Sequence, residues 1–162
     1  MSARDDAAPP PSRGALPRVI VTALGAVAEI LAAWWVLRTG TDEFSRPDPA
    51  GDPPFVPASY AFGIWTPIYA GMLAYAVYQA LARNRDRPLL RDSGWWAAAA
   101  LWGAALWVIV ARDASRVWLN LGILLAMTVL LGAAHRALNA APAKRSRADT
   151  WVVHAPLGLF FG

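Results

Sequence analysis

The stretch "FVPASYAFGIWTPIYAGMLAYAVYQ", residues 55 to 79, decides the fold. Within it begins a run, Tyr60 to Ala82, of 23 residues without a charge, enough for a helix to cross the ~30 Å hydrocarbon core of a bilayer. Yet the run holds Tyr60, Phe62, Trp65, Pro67, Tyr69, Tyr75, Tyr78 and Gln79, side chains that stack or donate hydrogen bonds rather than dissolve in acyl chains. Residues 62, 65, 69, 72, 76 and 79 follow steps of three and four, so Phe62, Trp65, Tyr69, Met72, Ala76 and Gln79 share one helical face. That face is either a helix-packing seam or the wall of a pocket for a flat, apolar ligand. Pro67, read as a mid-helix proline, would free a carbonyl and kink the helix, as tolerated beside a cavity.

The remaining chain has the same character. It is 57% hydrophobic and only 16% charged over 162 residues, against about 25% charge in soluble domains, which argues for a membrane protein. Further charge-free runs span 19–37, 94–111 and 117–134, and the fourth helix is taken to 135; with 60–82 they make four expected transmembrane helices. A fifth apolar run opens at about residue 150 and reaches Gly162 in 13 residues, so the fifth helix is expected to continue beyond a truncated reading. Residues 1–17, rich in proline and charge, are expected to form a disordered tail ahead of a membrane domain over 18–162. The first run is too long for a signal peptide and ends in "AAWWVLR", so it is expected to be retained.

Charge fixes the topology. If all four spans cross, eleven basic residues fall beside the amino-terminal tail and the second and fourth loops, and four (Arg38, Arg46, Arg112, Arg116) fall on the other side. Positive residues favour the cytoplasm, so the amino terminus is expected there; the expected location is the plasma membrane. The same topology accounts for the net charge of +4, so no nucleic-acid partner is expected. The loop "RDASR" forces the third and fourth helices into a hairpin.

Chemistry-bearing residues are few. The absence of cysteine excludes disulfides and thiolate sites, and with only His135 and His154 no metal site is expected. No phosphate loop, paired carboxylates or nucleophile–base motif is present, so no catalytic residue is assigned. Glu29 stands mid-span, where a carboxylate costs roughly 2.5–3.5 kcal/mol on insertion scales and must face protein or water. It is read either as hydrogen-bonded to another helix or as a proton-relay or ligand-orienting group. Asn120 and Thr128 are expected to hydrogen-bond between helices, Trp102 and Trp107 to need a partner for their indole N–H, and His135 to sit at the interface.

"PASYAFGIWTPIYAGMLAYAVYQ" resembles the second-helix signature of the TspO, or peripheral benzodiazepine receptor, family, most closely its tryptophan-rich sensory protein branch. Pro57, Tyr60, Phe62, Ile64, Trp65, Ile68, Tyr69, Tyr78 and Gln79 carry the match. The arginine-rich "ARNRDRPLLRDSGW", the third helix around Trp107 and "HAPLGLFFG" agree more loosely; Ala104 stands where better-studied members carry asparagine. The resemblance implies an all-α integral membrane bundle with five helices, four of them complete here. It also implies a sensor or carrier for a hydrophobic small molecule, a tetrapyrrole such as porphyrin or haem, with no cofactor required. Phe62, Trp65 and Tyr69 would form an aromatic wall, Trp107 would face it, and Glu29 would be the polar group. The rival readings are a proton-coupled transporter working through Glu29 and a structural membrane subunit; either is compatible with a homodimer.

Overall fold

The computed structural model describes residues 14–39, 63–141 and 146–161. Four long helices run α1 (Ala15–Thr39), α2 (Trp65–Ala80), α3 (Pro88–Val110) and α4 (Val117–Ala140). They are followed by α5 (Arg147–Asp149), a π-helical turn (Thr150–His154) and α6 (Ala155–Phe161), which together make one fifth helical segment. Among the described residues, α1, α3 and α4 are each long and apolar enough to cross a membrane.

The helices close a ring. α3 packs most extensively on α1 and α4, α2 packs on α1 and on α6, and α6 returns to α4, so the order round the bundle is α1, α2, fifth segment, α4, α3. Lipid tails are as apolar as leucine, so helices in a bilayer are held by close backbone approach more than by hydrophobic transfer. Small residues provide that approach here. Ala97, Ala100, Ala104 and Ala105 of α3 and Ala26 and Ala32 of α1 are buried, and a Cβ at Gly25 would lie 3.1 Å from Leu101 Cβ. The Trp102 indole uses the same opening, donating its N–H to the Val21 carbonyl of α1 at 3.1 Å. Gly71 meets Pro156 of α6, where an added Cβ would come within 3.0 Å. The opposite faces, Leu16, Ile20, Leu24, Val27 and Leu31 on α1 and Leu121, Leu125 and Val129 on α4, are exposed and apolar, as a lipid-facing surface requires.

Several expectations need adjustment. The helices begin or end outside the charge-free runs: α1 opens at Ala15, α3 at Pro88 and α4 closes at Ala140. A charge near a helix end does not stop the helix when its long side chain reaches water, as at Arg91 and Arg136, or is folded inward, as at Arg18. α2 begins only at Trp65, which puts Pro67 in its first turn, where a missing N–H needs no partner, and not at a kink. Residues 60–62, Phe62 among them, lie outside the described residues, as does the tail over 1–13. Asn120 and Thr128 do not bridge helices; each donates to the carbonyl four residues back, Arg116 and Leu124, at 3.2 and 2.9 Å. On an exposed helix face the preceding turn offers the nearest acceptor. His135 also contacts a carbonyl four residues back, Leu131, at 3.3 Å, and its ring lies 5.4 Å from that of Phe161 in α6.

The two ends of the bundle are chemically distinct. Arg18 at the start of α1 donates to the Arg85 carbonyl of the second loop. Arg87 of that loop pairs with Asp149 at the start of the fifth segment. The amino-terminal end, second loop and fourth loop therefore meet at one end, as alternate crossing demands. At the other end the Arg112 guanidinium lies 4.2 Å from the Trp35 ring centroid and Arg38 5.2 Å from that of Trp34, cation–π contacts worth about 0.5–1 kcal/mol where exposed.

Candidate functional site

α2 packs its inner face on α1 and the fifth segment, and side chains of that face, Trp65 and Gln79, reach across to α3. Met72, Ala76 and Gln79 on the expected face are buried, with Tyr75 and Ile68 alongside them. Trp65 and Tyr69, nearer the helix start, are half-buried. Trp65 is the centre of an aromatic cluster: its ring lies 5.9 Å from Tyr69 and 5.7 Å from Trp107 of α3, tilted by 30° and 33°. Such tilted aromatic pairs are each worth about 0.5–1.5 kcal/mol beyond area burial. Four of the five residues assigned from sequence thus fall in the described part of the bundle, and Trp65, Tyr69 and Trp107 meet directly. Phe62, the fifth, is outside the described residues.

Glu29 joins them from α1. It is wholly buried, and neither carboxyl oxygen has a hydrogen-bond partner among the described residues. The interhelical bond allowed for Glu29 from the sequence is therefore not formed. α1 and α3 run parallel in a fixed register: Arg18 meets Gly94 and Gly25 meets Leu101, each pair 76 apart in sequence, which sets Glu29 level with Ala105. Across the interface it interacts electrostatically with Tyr69. Ala104 and Ala105, both buried, make that level of α3 a small-residue wall, two to three residues before Trp107.

Two polar groupings at the arginine-rich end were not singled out from the sequence. In the first, Arg18 is fully buried and Gly94 makes room for it; a Cβ there would stand 2.6 Å from Arg18 Cδ and 3.2 Å from Gln79 Oε1. Counting Arg18 as a loop charge concealed this, because nothing local distinguishes an arginine at a helix start from one folded inward. In the second, Asp149 accepts two 2.7 Å hydrogen bonds from Arg87, one of 3.0 Å from the Tyr78 hydroxyl, and those of the Ser146 backbone and hydroxyl at 2.8 and 2.9 Å. Burial alone would raise this carboxyl, but the bonds from Arg87, Ser146 and Tyr78 outweigh it and hold Asp149 well below the usual carboxylate range. The Asp149 hydrogen bond raises Arg87 in turn. Here the sequence did carry a signal: "SRAD", residues 146 to 149, is a capping box in which Ser146 and Asp149 satisfy each other's backbone N–H groups.

Among the described residues no three histidines, aspartates or glutamates gather into a metal-binding group. A separate groove of about 610 Å³, lined by Trp96, Val129, Gly132, His135 and Phe161 among others, lies on the α4 side and includes none of the assigned residues.

Comparison with known proteins agrees with this architecture. The search of curated proteins and that of solved structures each returned no match. A family model described as TSPO-like protein matches residues 18–162, nearly the whole chain and all of its helices. The ring of five helical segments, the apolar outward faces and that match together establish that the chain is a membrane protein of the TSPO-like family.

Proposed function

We propose that this protein binds a flat, hydrophobic small molecule at the Trp65–Tyr69–Trp107 cluster and acts as a sensor or carrier rather than as an enzyme. The observation that carries this reading is the three-ring cluster on the inner faces of α2 and α3, with Trp65 within 6 Å of both neighbours. Packing alone would be met by aliphatic side chains; three half-buried rings of two helices provide the faces between which a planar ligand is held. The similarity to the TspO family points to a tetrapyrrole as that ligand, with Glu29 as the group that orients it. The basic ends gathered around Arg18, Arg85 and Arg87 support an orientation with this end in the cytoplasm, in the plasma membrane.

Titration of the purified protein with protoporphyrin, followed by quenching of its nine tryptophans, tests the reading. Saturable quenching is expected, with affinity reduced about three- to tenfold in Trp65→Ala, the worth of one aromatic contact. Quenching that never saturates, or that Trp65→Ala leaves unchanged, contradicts it.

A second reading, proton-coupled movement of the ligand, is favoured by one observation: a wholly buried carboxyl without a hydrogen-bond partner in mid-span. In proteoliposomes, uptake of protoporphyrin driven by a pH gradient is then expected to vanish in Glu29→Gln. Uptake indifferent to that substitution rules the coupling out.

A further inference from the structure

Unpartnered polar atoms are concentrated along one seam. Among the described residues, Arg18 Nε, Gln79 Oε1 and Nε2, and both carboxyl oxygens of Glu29 are buried without hydrogen-bond partners; all five lie on α1 and α2, which pack on each other, and Gly94 of α3 closes on Arg18 and Gln79. Thr22, fully buried and one turn above Arg18, adds a hydroxyl whose proton goes to the Arg18 carbonyl at 2.9 Å, leaving its oxygen lone pairs open to another donor. Across from it Tyr75 is buried beside Ser93, whose own hydroxyl donates to Leu89 at 2.6 Å. A polar group buried without a partner costs about 1–3 kcal/mol, and more in hydrocarbon, where no lipid group can substitute. Five such atoms in one seam exceed what a helix bundle tolerates dry, whereas a water makes two to four hydrogen bonds to groups of this kind.

The positions are ordered along the membrane normal. Arg18, Thr22 and Glu29 lie on the face of α1 that packs against α3, and 11 residues at ~1.5 Å each separate the first from the last by about 16 Å, half the hydrocarbon thickness. Gln79, Tyr75 and Tyr69 descend α2 in the opposite direction along the same seam. The titratable groups that face it are Arg18 and Glu29 from α1 and Tyr69 and Tyr75 from α2; at the Arg18 end, Asp86 of the second loop and Arg91 and Asp92 of α3 also act electrostatically on Arg18, while deeper in the seam α3 contributes Ser93, Gly94 and alanines, none of which titrates in this range. Beyond Glu29 the seam is capped by the aromatic cluster.

We propose that the α1–α2–α3 seam is a hydrated half-channel that opens at the Arg85 end and terminates at Glu29, so that Glu29 exchanges protons with the compartment on that side alone. Arg18, tied to the Arg85 carbonyl, lies at its mouth. Bulk ions meet the aromatic cluster on the other side. The half-channel is independent of the ligand reading: failure of Trp65→Ala to weaken protoporphyrin binding would leave the chemistry below unchanged.

The native chain has no cysteine, so single cysteines can be read without background. Thr22→Cys, Glu29→Cys, Ala32→Cys and the lipid-facing Leu24→Cys, in nanodiscs with both faces open to buffer, are exposed to silver ion, which binds thiols only where water carries it. Unblocked thiol is then counted with a maleimide after denaturation. The expected order is Thr22→Cys fastest, Glu29→Cys next, and Ala32→Cys and Leu24→Cys slowest, with Thr22→Cys at least about tenfold ahead of Leu24→Cys. Thr22→Cys is nearly isosteric and reports even if Glu29→Cys does not fold. Blocking of Thr22→Cys no faster than Leu24→Cys overturns the half-channel, and Ala32→Cys ahead of Thr22→Cys overturns its sidedness.

Discussion

Asp149→Ala is expected to lower the unfolding free energy of the purified protein by about 3 kcal/mol, the low end for breaking a buried ion pair because Arg87 remains partly exposed. The loss arises from what stays behind. Arg87 keeps its charge with no carboxylate to receive its two 2.7 Å bonds, the Tyr78 hydroxyl loses its acceptor, and the capping box that starts the fifth segment disappears. Since this cluster ties the second loop to the fifth segment, the variant should also open that end of the bundle first, read as faster proteolysis in the second loop. Arg87→Lys, which keeps the charge but not the paired geometry, should fall between the two. Acid has a related effect. Asp149 in the folded protein lies below the ~3.9 of an unfolded aspartate. Its contribution is therefore fully present above about pH 5 and is lost as pH falls through the unfolded value toward the folded one. Wild type should lose stability over that acid range more steeply than Asp149→Asn; parallel acid profiles would show that the pair does not contribute.

Gly94→Ala is expected to be the most damaging single methyl that can be added to α3. Its Cβ would stand 2.6 Å from Arg18 Cδ, an inner methylene of a side chain whose far end is held on the Arg85 carbonyl, so it cannot swing aside. Overpacking of this kind costs about 1–3 kcal/mol. A double-mutant cycle isolates the cause: in an Arg18→Ala background the clash partner is gone, and Gly94→Ala should become nearly neutral. If the alanine costs as much there as in wild type, the fit between Arg18 and Gly94 is not what makes glycine necessary.

The parts of the fold that were legible in sequence are those set by periodicity and charge. Four apolar runs, the alternation of basic loops and the short "RDASR" connection lead directly to the ring of helices, since each reflects the bilayer acting on the chain as a whole. Of the face expected from Phe62, Trp65, Tyr69, Met72, Ala76 and Gln79, the last three are buried and Trp65 and Tyr69 half-buried, while Phe62 lies outside the described residues. What the sequence left hidden depends on pairs distant along the chain. Nothing near Arg18 states that Gly94, 76 residues later, leaves room for it, and the 62 residues between Arg87 and Asp149 conceal their pairing. Pro67 was misplaced because absence of charge marks where lipid begins, not where hydrogen bonding of a helix begins; the backbone starts α2 five residues later than the charge-free run. Thr128 bonded to its own helix because an exposed face offers no neighbour, and the Asn120 amide likewise found its acceptor one turn back.

The account rests on Trp65 turning inward against α3, and 19F NMR of the protein labelled with 5-fluorotryptophan reads this directly. Trp118, 84% exposed and near the same end of the bundle, serves as the lipid-facing reference. With a spin label near the top of the acyl chain, the Trp118 resonance should broaden and that of Trp65 persist, and Trp107→Ala should move the Trp65 resonance because the rings lie 5.7 Å apart. A Trp65 signal broadened as fully as that of Trp118, and unmoved by Trp107→Ala, would contradict the inward-facing site.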